Sequence, residues 1–66
     1  MTVRDKVLGS DTKHMRYVYC LAGLDRCVDE AGNSTDRLDG YYAIAHLMAS
    51  LEISSEEIKE AREELK

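Results

Sequence analysis

Residues 15–31, MRYVYCLAGLDRCVDEA, decide the fold class of this chain. At 100° per residue, apolar side chains recur along this stretch at the i, i+4, i+7, i+11 and i+14 positions of a helix that faces a core. The predicted core-facing stripe consists of Tyr17, Leu21, Leu24, Val28 and Ala31. The fold that we expect is therefore all-α.

A second apolar patch lies on the opposite side of the same predicted helix. It consists of Met15, Tyr19 and Ala22, which are spaced i, i+4 and i+7. Such a patch needs a partner helix, a second subunit or another protein to cover it. We therefore predict that these three residues belong to an interface, and that charged residues at Met15 and Tyr19 would disrupt assembly and leave the helix content intact.

The pattern of glycines predicts a small helical bundle in a single domain that spans residues 1–66. The chain has no proline, and Gly9 and Gly32 fall where helices would stop. Three main helices are predicted at about residues 12–31, 35–51 and 54–65, with a short helix at about 2–8. An antiparallel or crossed bundle is the simplest arrangement of such helices.

The clearest helix start in the sequence is at Ser54. Glu57 follows three residues later, which is the spacing of a capping box. Ile53 and Ile58 occupy the positions of a hydrophobic staple around this cap. We therefore expect the last helix to begin here.

The predicted helix at residues 35–51 carries apolar residues on two sides. Gly40, Ala43 and Leu47 share one side, where small residues permit another backbone to approach closely. We interpret this helix as the central element and these three residues as part of an interface between subunits. The alternative is a middle helix that is buried inside a compact monomer.

Length and composition favour a protein that works by association. A chain of 66 residues is near the lower size limit for a stable core, and oligomerisation is a common remedy. The formal net charge of −4 lacks the basic footprint of a nucleic-acid binder. The longest apolar run, from Tyr17 to Ala22, is far shorter than a membrane span of about 20 residues. No secretory segment is visible, so we expect a cytoplasmic protein.

Residues 52–66 hold three basic and six acidic residues. We expect this acidic surface to meet a protein partner with a basic surface. Small acidic proteins without chemical motifs are common among phage-encoded inhibitors of host systems. The leading hypothesis is therefore a self-associating protein, a homodimer or larger, that binds or inhibits another macromolecule.

Tyrosine and arginine residues offer an alternative function. An aromatic ring beside a guanidinium can stack on a base and hold a phosphate. The candidate ligand-binding residues are Arg16, Arg37, Tyr41 and Tyr42. They would serve an oligomeric binder that sequesters a nucleotide-like small molecule, although no glycine-rich phosphate loop accompanies them.

Residues 51–58, LEISSEEI, resemble the turn of helix-turn-helix proteins, in which an apolar-x-apolar-Ser run leads into a second helix. The resemblance covers about twenty residues and implies a second helix that reads DNA. Glu52 stands where the customary turn residue is glycine, and carboxylates lie at the start of the second helix, where phosphates would repel them. A degenerate helix-turn-helix protein is a second alternative.

No catalytic site, metal site or cofactor is predicted. Cys20 and Cys27 lie roughly 10 Å apart along one predicted helix, which forbids an intrachain disulfide, and we interpret them as small residues at the core edge. His14 and His46 are not spaced with them as metal ligands, and His14 forms no helical dyad with Cys20. We therefore expect a protein without enzymatic activity.

Overall fold

The computed structural model describes residues 2–65 as four helices, and it contains no strand within that range. The helices are α1 (Val3–Gly9), α2 (Lys13–Asp29), α3 (Ser34–Leu51) and α4 (Ser55–Glu64). This architecture confirms the predicted all-α fold of three main helices preceded by a short one.

Side-chain caps fix where each helix begins. Thr2, Thr12, Asn33 and Ser54 each accept a hydrogen bond from the backbone N–H three residues further on. The predicted capping box at Ser54 is confirmed, because Glu57 also accepts a hydrogen bond from the Ser54 N–H. Each cap of this kind stabilises its helix by about 1 kcal/mol.

The central helix of the fold is α2, which packs against α1, α3 and α4. The prediction that the helix at residues 35–51 is central was wrong. One side of α3 meets α2, and Ile44 is its buried residue. Because α1 and α4 also pack against α2, the other helices enclose α2 rather than α3.

The orientation of α2 differs from the predicted one. Tyr19 and Ala22 are 9% and 0% exposed, and Met15 packs half-buried against the same core. Tyr17 and Leu24, which were predicted to face the core, are 36% and 40% exposed. The physical reason is that α1 and α4 pack on the side of α2 that carries the supposed second patch. Helices of the same chain therefore supply the cover that this patch needs.

The remainder of the predicted core stripe does face the interior. Leu21 and Val28 are buried and Ala31 is half-buried. Val28 packs against Gly40 of α3, where an added Cβ would lie 2.5 Å from Val28 Cγ2. The close approach that we predicted at Gly40 therefore occurs, and its partner is α2 of the same chain.

The two flanking helices close the core on either side of Tyr19. From α1, Val3 packs over Gly23 of α2, and Lys6 places its Nζ 5.6 Å from the Tyr19 ring centroid. The apolar side of α4 is buried in the core cluster together with the staple residue before it. These buried residues are Ile53, Ile58, Ala61 and Leu65.

The turn between α3 and α4 has left-handed backbone geometry at Glu52. Its φ and ψ are 56° and 43°, and it is the one non-glycine residue with positive φ among residues 2–65. This region favours glycine. The turn therefore adopts the conformation that glycine serves in helix-turn-helix proteins, although the sequence supplies a glutamate.

Candidate interaction surface

One side of α2 is left uncovered by the described residues. The neighbouring helices occupy the other sides, with α1 packed at Gly23, α3 at Val28, and α4 joined through Arg62 to Asp25 and Asp29. Beyond the first turn of α2, the remaining arc between α1 and α3 carries four exposed side chains. They are Tyr17, Cys20, Leu24 and Cys27.

Ala43 and Leu47 of α3 extend this exposed arc. Tyr41 and Met48 lie on the side of α3 nearer to α4. Tyr41 donates to Asp29, which also accepts from Arg62 of α4, and Met48 lines a groove with α4. Helical geometry therefore places Ala43 and Leu47 on the opposite flank, beside the uncovered arc of α2. Both residues are exposed. We call the joint surface the α2/α3 face, formed by Tyr17, Cys20, Leu24, Cys27, Ala43 and Leu47.

The structure divides the predicted interface residues into two groups. Ala43 and Leu47 lie on the α2/α3 face, with Gly40 half-buried at its edge. Tyr19 and Ala22 instead lie in the core of the chain, and Met15 packs half-buried against it, so helices of the same chain cover most of this patch. The sequence prediction missed the four residues from α2. Their i, i+3, i+7, i+10 spacing is that of a helix–helix interface and was the available signal.

The two ends of the α2/α3 face carry opposite charge. Lys13 and Arg16 lie at the end where α2 begins. Asp36 and Asp39 lie at the other end, in the first two turns of α3. All four side chains are exposed. The face therefore has a basic end and an acidic end.

A groove of about 580 Å³ lies between α3 and α4. Ile44, Met48 and Ile58 contribute apolar side chains to it. Its charged lining residues are of both signs, so the groove shows no preference for an anion or a cation. Within the described residues, no group of three or more His, Cys, Asp or Glu side chains could hold a metal ion.

A polar cluster joins three helices at the edge of this groove. Arg62 of α4 donates to Asp25 at 2.7 Å and also to Asp29, which accepts a further hydrogen bond from the Tyr41 hydroxyl. The hydrogen bonds from Tyr41 and Arg62 lower the pKa of Asp29, and the bond to Asp29 raises the pKa of Tyr41. The charged form of Asp29 thus links α2 to α3 and to α4.

The structure does not bring Arg16 together with the other predicted nucleotide-binding residues, whereas Arg37 lies near Tyr41 and Asp29. Arg16 donates to a backbone carbonyl before α2, whereas Tyr41 contacts Asp29 at the far end of α2, roughly 20 Å away along the helix. Arg37 lies one turn before Tyr41, and Tyr42 is 68% exposed. The carboxylate that holds Tyr41 would repel a phosphate placed beside it. The geometry therefore does not favour the nucleotide hypothesis.

Two further carboxylates tie α4 to the rest of the fold. Glu57 contacts His14 and accepts from its own cap residue Ser54, and the hydrogen bond with His14 is the main cause of its lowered pKa. Glu64 accepts from the Tyr19 hydroxyl, which lowers the pKa of Glu64 and raises that of Tyr19. Both carboxylates therefore favour the folded chain when they are charged.

We expect the melting temperature to fall as the pH is lowered from about 6 to about 3. The pKa values of Asp29, Glu57 and Glu64 are lower in the folded chain than in the unfolded chain. Near pH 4 the unfolded chain therefore binds more protons, and the stabilisation is lost as the pH falls through the lowered pKa values. Circular dichroism melts would measure the effect. The Glu57→Gln variant should show a shallower pH dependence, and a melting temperature that stays constant over this range would contradict the expectation.

No protein-family model, curated protein or solved structure matches this chain. The helices of residues 2–65 also include none that is both long and apolar enough to cross a membrane.

Proposed function

We propose that this chain is an interaction protein that self-associates through the α2/α3 face and acts in the cytoplasm by binding another macromolecule. The exposed apolar side chains of this face carry the proposal. A helix of 17 residues is about 25 Å long, and the face is two helices wide. Two such faces in contact would bury on the order of 1,000 Å², which is the lower limit for a specific interface.

Self-association would also answer the small size of the core. Two copies joined at this face would form a four-helix bundle from α2 and α3 of each chain, which is a common stable arrangement. The uncovered apolar side chains of both helices would then become its interior. A domain of 66 residues gains stability from such an extension because its own core is small.

The surface that we propose for a second partner is the outer side of α4. This helix packs on the side of α2 that carries Ala22, away from the α2/α3 face, so it would stay accessible in a dimer. It exposes Glu56 and Glu60, which suit a partner with a basic surface. An inhibitor of the phage type, directed at a host protein, is the form of this activity that we propose.

The solution mass of a Leu24→Glu, Leu47→Glu double variant tests the self-association. In reducing buffer, we expect light scattering to give twice the chain mass of 7.5 kDa for the wild type and the single-chain mass for the variant. Charged residues are excluded from the interior of a helical bundle because their desolvation is unfavourable. Both leucines are exposed within the chain, so circular dichroism should show an unchanged helix content.

The matched control is a Leu8→Glu, Leu38→Glu variant. Both of these leucines are exposed and lie outside the α2/α3 face, so this variant has the same charge change in other places. We expect it to keep the dimer mass. A wild-type chain that is monomeric at every concentration would overturn the proposal, as would a control that dissociates as readily as the double variant.

A further inference from the structure

Resting on the proposed self-association, we infer that a second copy docks antiparallel on the α2/α3 face, with the two α2 helices side by side. In this arrangement Cys20 of each chain lies opposite Cys27 of the other. A disulfide oxidant can then link the two copies covalently.

The charges at the two ends of the face favour a second copy as the occupant and an antiparallel orientation. In an antiparallel pair, Lys13 and Arg16 of one chain lie near Asp36 and Asp39 of the other, and this match occurs twice. In a parallel pair, the basic ends would meet each other and so would the acidic ends, which is unfavourable. The local match offsets the general repulsion between two chains that each carry a net charge of −4.

The cysteine positions fit this arrangement. Cys20 and Cys27 are exposed free thiols, and they lie two helical turns apart on the same side of α2. When the two-fold axis passes level with Gly23 and Leu24, position 20 of one α2 lies opposite position 27 of the other. Helix axes about 10 Å apart bring facing Cα atoms to about 5.4 Å, given a Cα radius of about 2.3 Å. This separation is within the disulfide range of about 4.4–6.8 Å.

The linking reaction is thiol–disulfide exchange with glutathione disulfide as the oxidant. The Cys20 thiolate attacks one sulfur of glutathione disulfide, which forms a mixed disulfide and releases one glutathione. The thiolate of Cys27 in the second copy then attacks the Cys20 sulfur and releases the second glutathione. The two protein thiols lose two electrons and two protons, and one glutathione disulfide becomes two glutathione molecules. Two bridges related by the two-fold axis close the dimer.

Two single-cysteine variants test the register. Cys20→Ser retains Cys27, and Cys27→Ser retains Cys20. We would mix them in reductant, exchange the mixture into glutathione disulfide, and follow the linked dimer on non-reducing gels. At about 20 µM chain, the mixture should link at least about tenfold faster than either variant alone, because facing thiols have an effective concentration in the millimolar range. The Cys20→Ser, Cys27→Ser double variant should give no linked species.

The solution mass of the same samples in reductant separates two kinds of failure. If the samples have the dimer mass and Cys27→Ser alone links as fast as the mixture, Cys20 meets Cys20 of the second copy. This outcome overturns the antiparallel register. A dimer mass without any linking would also overturn the register, while the self-association would stand. A single-chain mass at every concentration would overturn the self-association, and the inference with it.

Discussion

Replacing Tyr19 with glutamate should unfold most of the chain at room temperature. Tyr19 is buried between α1 and α4, and its hydroxyl donates to Glu64. The variant would lose the packing of the ring and bring a second carboxylate next to Glu64. We expect a loss of about 3–5 kcal/mol, which equals the whole stability that a core of this size supplies. Far-UV circular dichroism would record the loss of helix.

Tyr42→Glu is the matched control for this substitution. Tyr42 is largely exposed on α3 and lies outside the α2/α3 face, so the same change of side chain should leave helix content and mass unchanged. The sequence alone predicts the opposite for Tyr19, namely lost assembly with the helices intact. A Tyr19→Glu variant that kept its helices and changed its mass would restore the interpretation of Tyr19 as an interface residue.

The helices could be predicted because their signals are local. A capping box needs only Ser54 and Glu57, three residues apart, and the structure contains both of its hydrogen bonds. Helix content likewise follows from apolar residues at helical spacing and from the absence of proline. These interactions lie within one or two helical turns, so the sequence contains all the information that they require.

The orientation of α2 could not be predicted because it depends on distant residues. Apolar side chains occur around most of its circumference, so Tyr17 and Tyr19 are equally good candidates for the core. The buried side is the one on which α1 and α4 pack. Val3 over Gly23 and the Glu64 bond to Tyr19 contribute to that choice, and they join α2 to residues near the two ends of the sequence. Hydrophobic periodicity alone contains no such pairing.

The candidate interface was affected by the same ambiguity. Ala43 and Leu47 were identified because they lie on a side of α3 that is separate from its main apolar side. The apolar pattern of the sequence assigns Leu24 to the core and Cys20 and Cys27 to the core edge, so it does not indicate their place on the α2/α3 face. Once the core side of α2 is known, the exposed apolar residues on its opposite side become visible. The sequence thus predicts that the chain has more apolar helix surface than its own core covers, and exposed Tyr17, Leu24 and Leu47 agree with this. It places that surface on the wrong side of α2.

Replacing Ile58 with alanine should remove most of the free energy of unfolding. Ile58 is 5% exposed and packs in the core cluster with Ile53, which precedes the cap of α4. Truncation removes buried apolar surface and leaves a cavity, and such substitutions cost about 2–5 kcal/mol. Urea unfolding followed by circular dichroism would measure the change. Leu38→Ala, at an exposed position on α3, should change the free energy by no more than about 0.5 kcal/mol.

The concentration dependence of the Ile58→Ala unfolding midpoint connects the core to the proposed assembly. Ile58 belongs to α4, which packs on the side of α2 away from the α2/α3 face, so its loss should weaken the fold without removing the surface for self-association. Association stabilises the folded chain by mass action. The urea midpoints of the wild type and of Ile58→Ala should therefore both rise with chain concentration, while the variant stays below the wild type throughout. A midpoint close to that of the wild type at every concentration would show that Ile58 contributes little to the core.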